Sequence, residues 1–293
     1  MSPPSLLDPI SCGEDVFANA ARISDLAPDH CVDCADNHIR SAVHRCTPVP
    51  KGVDRPEFIS LIKGVLAGKA ARPGNIDIVI PGSADTNILA ATAHAAAVLG
   101  GEVLNRCRFT VIDRCATPLI LCREFGARHR LNVETLQSDL TANSLHFAAD
   151  IIVVHSVLRF IPHAEHLAFL NRLGSWLNAS GHVIISNRLR LDKAAEADSE
   201  FRKRSAANAA IGERLAEGAL LTREPSTVVL ERLQRAMHDC DGLPGEFGSL
   251  DEVRQLIARS QLQEISLEYL SWTIEITPGN TFDRHRVHAV LSR

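Results

Sequence analysis

Short runs of β-branched and aliphatic residues alternate along this chain with stretches in which apolar side chains recur every three or four positions. The runs predict strands over residues 76–81, 108–113, 133–137, 150–155, 182–187, 264–275 and 285–292. The fourth is apolar on both faces, as a central strand should be. Strands that alternate with helical patterns predict a parallel sheet covered on both sides. The last two runs, joined through Pro278-Gly279-Asn280, predict an antiparallel hairpin at one end of it.

Two regions break the alternation. Residues 1–72 carry prolines at 3, 4, 9, 28, 48, 50 and 56 between short helical stretches. One of these, residues 54–69, has Asp54 as its cap and Phe58, Leu61, Ile62 and Leu66 at helical spacing. This predicts a helical N-terminal extension, with residues 71–74 as the boundary to a main domain over 73–293. Between 191 and 248 two further helical patterns, 192–217 and 226–239, predict an inserted helical lid; Val229, Leu230, Leu233 and Met237 share one side of the second. After it, Ser249 and Glu252 have capping-box spacing ahead of Val253, Leu256 and Ile257.

The composition narrows the function. A 293-residue chain that is 45% hydrophobic can bury a sizeable core. A net charge of −4, 4% aromatics and a single tyrosine supply neither a basic field nor a stacking platform, so no nucleic-acid partner is expected. The basic run Arg188, Arg190, Lys193, Arg202, Lys203 and Arg204 is interspersed with Glu196, Asp198 and Glu200 and reads as a solvated face. Residues 1–22 lack the pattern of an export signal, and no apolar run reaches the ~18 residues of a membrane span. A cytoplasmic protein without a membrane partner is expected. Eight scattered cysteines read as reduced thiols, with Cys107, Cys115 and Cys122 as small buried apolar groups.

Candidate chemistry gathers where the predicted strands end. After the first strand, Gly82-Ser83-Ala84-Asp85 offers small residues that let a ligand approach the backbone, but a single glycine is not the three-glycine fingerprint of a dinucleotide site. Asp113 closes the second strand, with Arg114 beside it; its carboxylate can accept from both hydroxyls of a ribose, or it simply starts a turn. Asp139 after the third strand can meet an adenine amino group or cap the loop ahead of Leu140. His155 at the end of the fourth can serve as a base or hydrogen-bond within its loop. Arg159 can clamp an acceptor carboxylate or stand in solvent, and His163 reads as a helix-start residue after Pro162. Cys31-x-x-Cys34-x-x-x-His38, with His44 and Cys46 downstream, has zinc-like spacing. It lacks a second paired motif and a knuckle glycine, so it reads as buried thiols and surface histidines, and no metal is assigned.

In order along the chain, Pro81-Gly82-Ser83-Ala84-Asp85, Ile112-Asp113, Asp139-Leu140, Val157-Leu158-Arg159-Phe160-Ile161-Pro162 and Asn178-Ala179-Ser180-Gly181 resemble the motifs of class I S-adenosylmethionine-dependent methyltransferases. The likeness departs from the family pattern at Ile80, where an acid is usual, and at Ala84 and Thr86, where glycines are. It implies a doubly wound, mostly parallel seven-stranded α/β sheet with an antiparallel C-terminal strand. It also implies S-adenosyl-L-methionine as cofactor, with Gly82, Ser83, Ala84 and Asp85 at the cofactor turn, Asp113 and Arg114 at the ribose, and Asp139 and Leu140 at the adenine. His155 and Arg159 would then face a small-molecule acceptor under the lid, with His155 also within reach of the cofactor. Two other expectations stay open: a protein-modifying methyltransferase with an open groove, and a non-catalytic binding or regulatory protein of the same fold. Homodimerisation through the N-terminal helices is likewise left open.

Overall fold

The aliphatic runs that read as central strands lie at the centre of the sheet. In the computed structural model, β1 (Ile76–Pro81) pairs in parallel with β2 (Cys107–Asp113) on one side and β4 (Ala149–His155) on the other. The sheet extends from β2 to β3 (Asn132–Gln137) and from β4 to β5 (Leu177–Leu189), again in parallel. β7 (Asn280–Ser292) then runs antiparallel to β5, and β6 (Gln263–Thr277) antiparallel to β7. The order is β3-β2-β1-β4-β5-β7-β6. The structure describes residues 16–31, 34–35, 38–39, 55–141, 145–191, 209, 212–213, 225, 227–229, 231–232, 244–277 and 280–293.

Alternation along the central strands divides the core in two. Ile151, Val153 and Ile184 face one layer, with α2 (Arg55–Ala70), α3 (Asn87–Leu99) and α5 (Ala116–His129) packed against that side. Ile152, Val154, Val183 and Ile185 face the other, against α6 (His166–Trp176) and α7 (Leu250–Arg259). Alanines at 90, 93, 95 and 96 let α3 lie close to the strands, so its contribution comes from proximity rather than bulk. α2 supplies Phe58, Ile62 and Leu66, all buried, and each such side chain is worth about 1.5–3 kcal/mol of hydrophobic burial. The short α4 (Gly101–Arg106) ends in Arg106, whose guanidinium donates to the carbonyls of Ala70, Arg72 and Gly74 and so fastens the end of α2 to β1's entrance.

β5 starts earlier than its apolar run suggests. Asn178-Ala179-Ser180-Gly181 has turn composition, yet these residues lie within the strand, and the ladder to β4 shifts register between Ala149 and Ile151 to accommodate them. The Asn178 amide donates to Asp150 at 2.7 Å across this irregularity. The expected lid lies almost wholly outside the described residues; its described positions 209, 212–213, 227–229 and 231–232 are helical. One of them ties the insertion to α1 (Val16–His30): Arg232 donates to the Ser24 carbonyl at 2.6 Å. α1 in turn meets α5 through the Arg22–Glu124 ion pair.

Candidate functional site

The carboxyl ends of β1 and β2 are joined by a small set of hydrogen bonds. Gly82 turns the chain out of β1 at φ +72°, and its N–H donates to Ile112 O at 2.7 Å. The next amide, Ser83 N, donates to Asp113 Oδ2 at 2.9 Å, and Cys115 N donates to Asp113 Oδ1 at 2.8 Å. Asp113 is thereby held at the rim between the two strands, half-buried. Burial pushes its carboxyl above the usual range, opposed by the two backbone donors and by the positive fields of His38 and Arg114. Two oxygens provide about four lone-pair directions, so the two amides leave acceptor capacity on the carboxylate. Arg114 itself is exposed, and its carbonyl accepts from Gln137.

The other cofactor candidates have more local engagements. Ser83 is buried and its hydroxyl donates to the Asp85 carbonyl. Asp85 is 1% exposed and accepts from Asn87 N at 2.8 Å, so it braces the entry to α3. Asp139 accepts from both the amide and the hydroxyl of Thr141, at 2.7 and 2.8 Å, and these bonds hold its carboxyl below the usual range. It adopts the loop-cap arrangement. Leu140 and Val157 close over Gly82: a Cβ built there would stand 2.8 Å from Val157 Cγ2 and 3.5 Å from Leu140 Cδ1. The turn, Asp113 and Leu140 therefore come together, with Ala84 alongside through its carbonyl, which lies 3.2 Å from His38 Nδ1.

At the end of β4 the chain bends through Ser156, a non-glycine residue at φ +58°. His155 is half-buried, with its ring centroid 5.2 Å from that of Phe58; the same phenyl ring meets His288 of β7 at 5.6 Å. Arg159 is half-buried. It donates to Glu246 at 2.9 Å, while Arg190 donates to the other carboxylate oxygen at 2.7 Å. Burial pulls the Glu246 carboxyl up, but the Arg190 hydrogen bond and the surrounding guanidinium charges outweigh it and hold it below the usual range. His163 begins a 3₁₀ turn after Pro162, as read, and its Nε2 lies 3.0 Å from Glu246 O.

Several polar groups here had no place in the sequence reading. Arg286 of β7 is buried and donates to Ser186 Oγ at 3.1 Å and to the Ser156 hydroxyl, which brings a cation to the carboxyl ends of β4 and β5. Arg188, expected on a solvated basic face, is instead buried and stands opposite it in the ladder, and Arg190 of the same run pairs with Glu246. Cys115 differs from the expectation of an isolated apolar thiol: its sulfur is bonded to that of Cys34. The fold carries the 31–38 segment against the start of α5, an approach across 81 positions that the local motif does not encode. Cys107 and Cys122 are buried thiols as expected, and burial pushes Cys107 up to about 12. His44 and Cys46 lie outside the described residues.

No protein-family model matches the chain. Its curated relatives include the carboxy-S-adenosyl-L-methionine synthase of Pseudomonas fluorescens (strain SBW25), 29% identical over 140 residues that make up 45% of this chain and 53% of the relative. The enzyme of the same name from Ectopseudomonas mendocina (strain ymp) is 26% identical over 139 residues, with the same shares. The chain thus spans about half the length of the curated relatives it matches. Among solved structures, TehB from Haemophilus influenzae aligns with a TM-score of 0.47 at 12% identity, over 78% of this chain and 62% of that one. The N-methyltransferase NodS from Bradyrhizobium japonicum WM9 aligns at 0.45 and 12%, over 82% and 97%. Seven strands in the order β3-β2-β1-β4-β5-β7-β6, with a reversed β7 and helices on both faces, make this the Rossmann-like fold that class I S-adenosylmethionine-dependent methyltransferases share.

Proposed function

We propose that the chain binds S-adenosylmethionine at the carboxyl ends of β1, β2 and β3 and transfers its methyl group to a small-molecule acceptor held at the ends of β4 and β5. The observation that carries this reading is the placement of Asp113. Backbone amides from the β1 turn and the α5 start fix its carboxylate at the rim, where it can accept from a ribose. Leu140 and Val157 supply apolar contact beside it. A sulfonium methyl is already activated, so the chain's residues need mainly to align the acceptor and exclude water. His155 would take a proton from a hydroxyl or amine acceptor, and Phe58 packs against its ring. Arg159, committed to Glu246, supports the loop that carries the acceptor side. A helical lid, whose described Arg232 donates to the Ser24 carbonyl of α1, would enclose the crevice and favour a small acceptor.

Titration calorimetry tests the cofactor half. S-adenosylmethionine and its demethylated product should both give heat with the wild-type chain, and Asp113→Asn should weaken them by roughly 10- to 100-fold, the loss of charge-assisted hydrogen bonds. Unchanged affinity in a folded Asp113→Asn variant refutes the site. The names of the matched relatives favour a second reading, in which S-adenosylmethionine is itself the molecule modified. Mass spectrometry of the small-molecule fraction after turnover separates the two: demethylated cofactor supports methyl transfer, and a carboxylated cofactor supports the second.

A further inference from the structure

Four potential metal ligands meet beside the cofactor turn. Cys31, Cys34 and His38 come from the segment after α1, Cys115 from the N-terminal cap of α5, and their ligand atoms all lie within 4.8 Å of one another. Cys34, His38 and Cys115 are buried, at 5%, 6% and 4% exposure, and Cys31 is half-buried. Around a tetrahedral zinc ion, with Zn–S of about 2.3 Å and Zn–N of about 2.0 Å, neighbouring ligand atoms stand roughly 3.5–3.8 Å apart. Side-chain adjustments of about an ångström convert the observed cluster into that arrangement.

We propose that Cys31, Cys34, His38 and Cys115 form a closed Cys₃His zinc site that fastens the N-terminal segment to the turn bearing Asp113. The set is complete without water, which marks the site as structural rather than catalytic. Groups that orient ligands are also present. Ala84 O accepts from His38 Nδ1–H, which places the ring's lone pair on Nε2, and the Thr117 hydroxyl lies 3.1 Å from Cys31 Sγ as a donor to a thiolate. Asp113 and, more weakly, Arg114 stand close enough to act electrostatically on both Cys31 and His38, so the guanidinium offsets part of the negative charge that the carboxylate and three thiolates bring to one divalent ion.

The Cys34–Cys115 bond and a zinc ion exclude each other, and the convergence favours the ion. The two Cα atoms are 7.7 Å apart, beyond the roughly 4.4–6.8 Å that disulfides usually span. A disulfide also has no use for Cys31 and His38, whereas a tetrahedral site requires both. Conversion between the states balances with a phosphine reductant: it takes the oxygen of one water, becomes the phosphine oxide and leaves two thiols. Zinc then binds as the three thiols release three protons.

The proposal stands apart from the methyltransferase reading, and its test reads metal rather than turnover. The full chain, purified with a phosphine present and zinc supplied, should carry about one zinc per chain by elemental mass spectrometry, and cobalt(II) exchange should give the visible bands of a tetrahedral thiolate site. Cys31→Ser and Cys115→Ser should each lower retained zinc at least ~10-fold, while Cys107→Ser, outside the cluster, should keep it. If those variants fail to fold, the wild-type cobalt spectrum decides alone: bands abolished by zinc displacement support the site. Absence of stoichiometric metal from the reduced chain overturns it, as does full retention in Cys31→Ser or a Cys34–Cys115 bond that persists under the reductant.

Discussion

Gly82 shows how a single position sets the site's geometry. Its φ of +72° would cost an L side chain about 1–2 kcal/mol, and a Cβ would also press on Val157 at 2.8 Å. Gly82→Ala is therefore expected to destabilise the chain by about 2–4 kcal/mol in denaturant unfolding. Adding Val157→Ala should recover the steric share and leave the backbone share, so a double-mutant cycle with no coupling would disprove the contact. Asp113 was legible in the sequence because a carboxylate closing a strand has a definite position. Asp139 was ambiguous for the same reason that Asx turns are common, and its bonds to Thr141 show the loop-cap geometry. Arg286, Ser156 and Glu246 escaped because they meet through elements far apart in sequence, and a list of neighbours along the chain does not hold that information.

Among elements, the 244–248 segment is a pH-sensitive join. Gly245 has no room for a side chain, since a Cβ would meet Ile161 O at 2.0 Å, and Phe247 packs edge-on to His163. Glu246 fixes this segment to Arg159 and Arg190. Its carboxyl is depressed in the folded state, so its contribution is present above the unfolded pKa of about 4.3 and is lost as pH falls through the lower folded value. Glu246→Gln should be less stable than wild type at pH 7 by about 1–3 kcal/mol, with the two stability curves converging in acid; parallel curves would show that the pairs contribute nothing. The raised Asp113 carboxyl has the opposite sign, and its cost appears as pH rises through the unfolded value. The strands themselves were legible, because aliphatic runs between helical patterns leave few alternatives. The start of β5 was not, because residues with turn chemistry are held in the ladder by an irregular register.

Across the whole molecule, the N-terminal helices form part of the layered core and also border the site. α2 buries Phe58, Ile62 and Leu66 on the sheet face, and Phe58 reaches His155 at the end of β4 and His288 within β7. Phe58→Ala should cost about 3–5 kcal/mol in unfolding experiments and shift the imidazole resonances of both histidines; an effect on stability alone would separate packing from positioning. Sequence patterning revealed α2's apolar face but not its destination, which depends on how a sheet assembled from later residues twists beneath it.

β7 follows β6 along the chain yet occupies the place between β5 and β6. During synthesis, β6 emerges before the strand that links it to the rest of the sheet, and β5 keeps one open rim of amides and carbonyls until that strand arrives. Such a rim recruits stray extended segments. A ribosome-bound intermediate halted ahead of residue 280 should therefore be the species most prone to clumping, and the most dependent on chaperone cover.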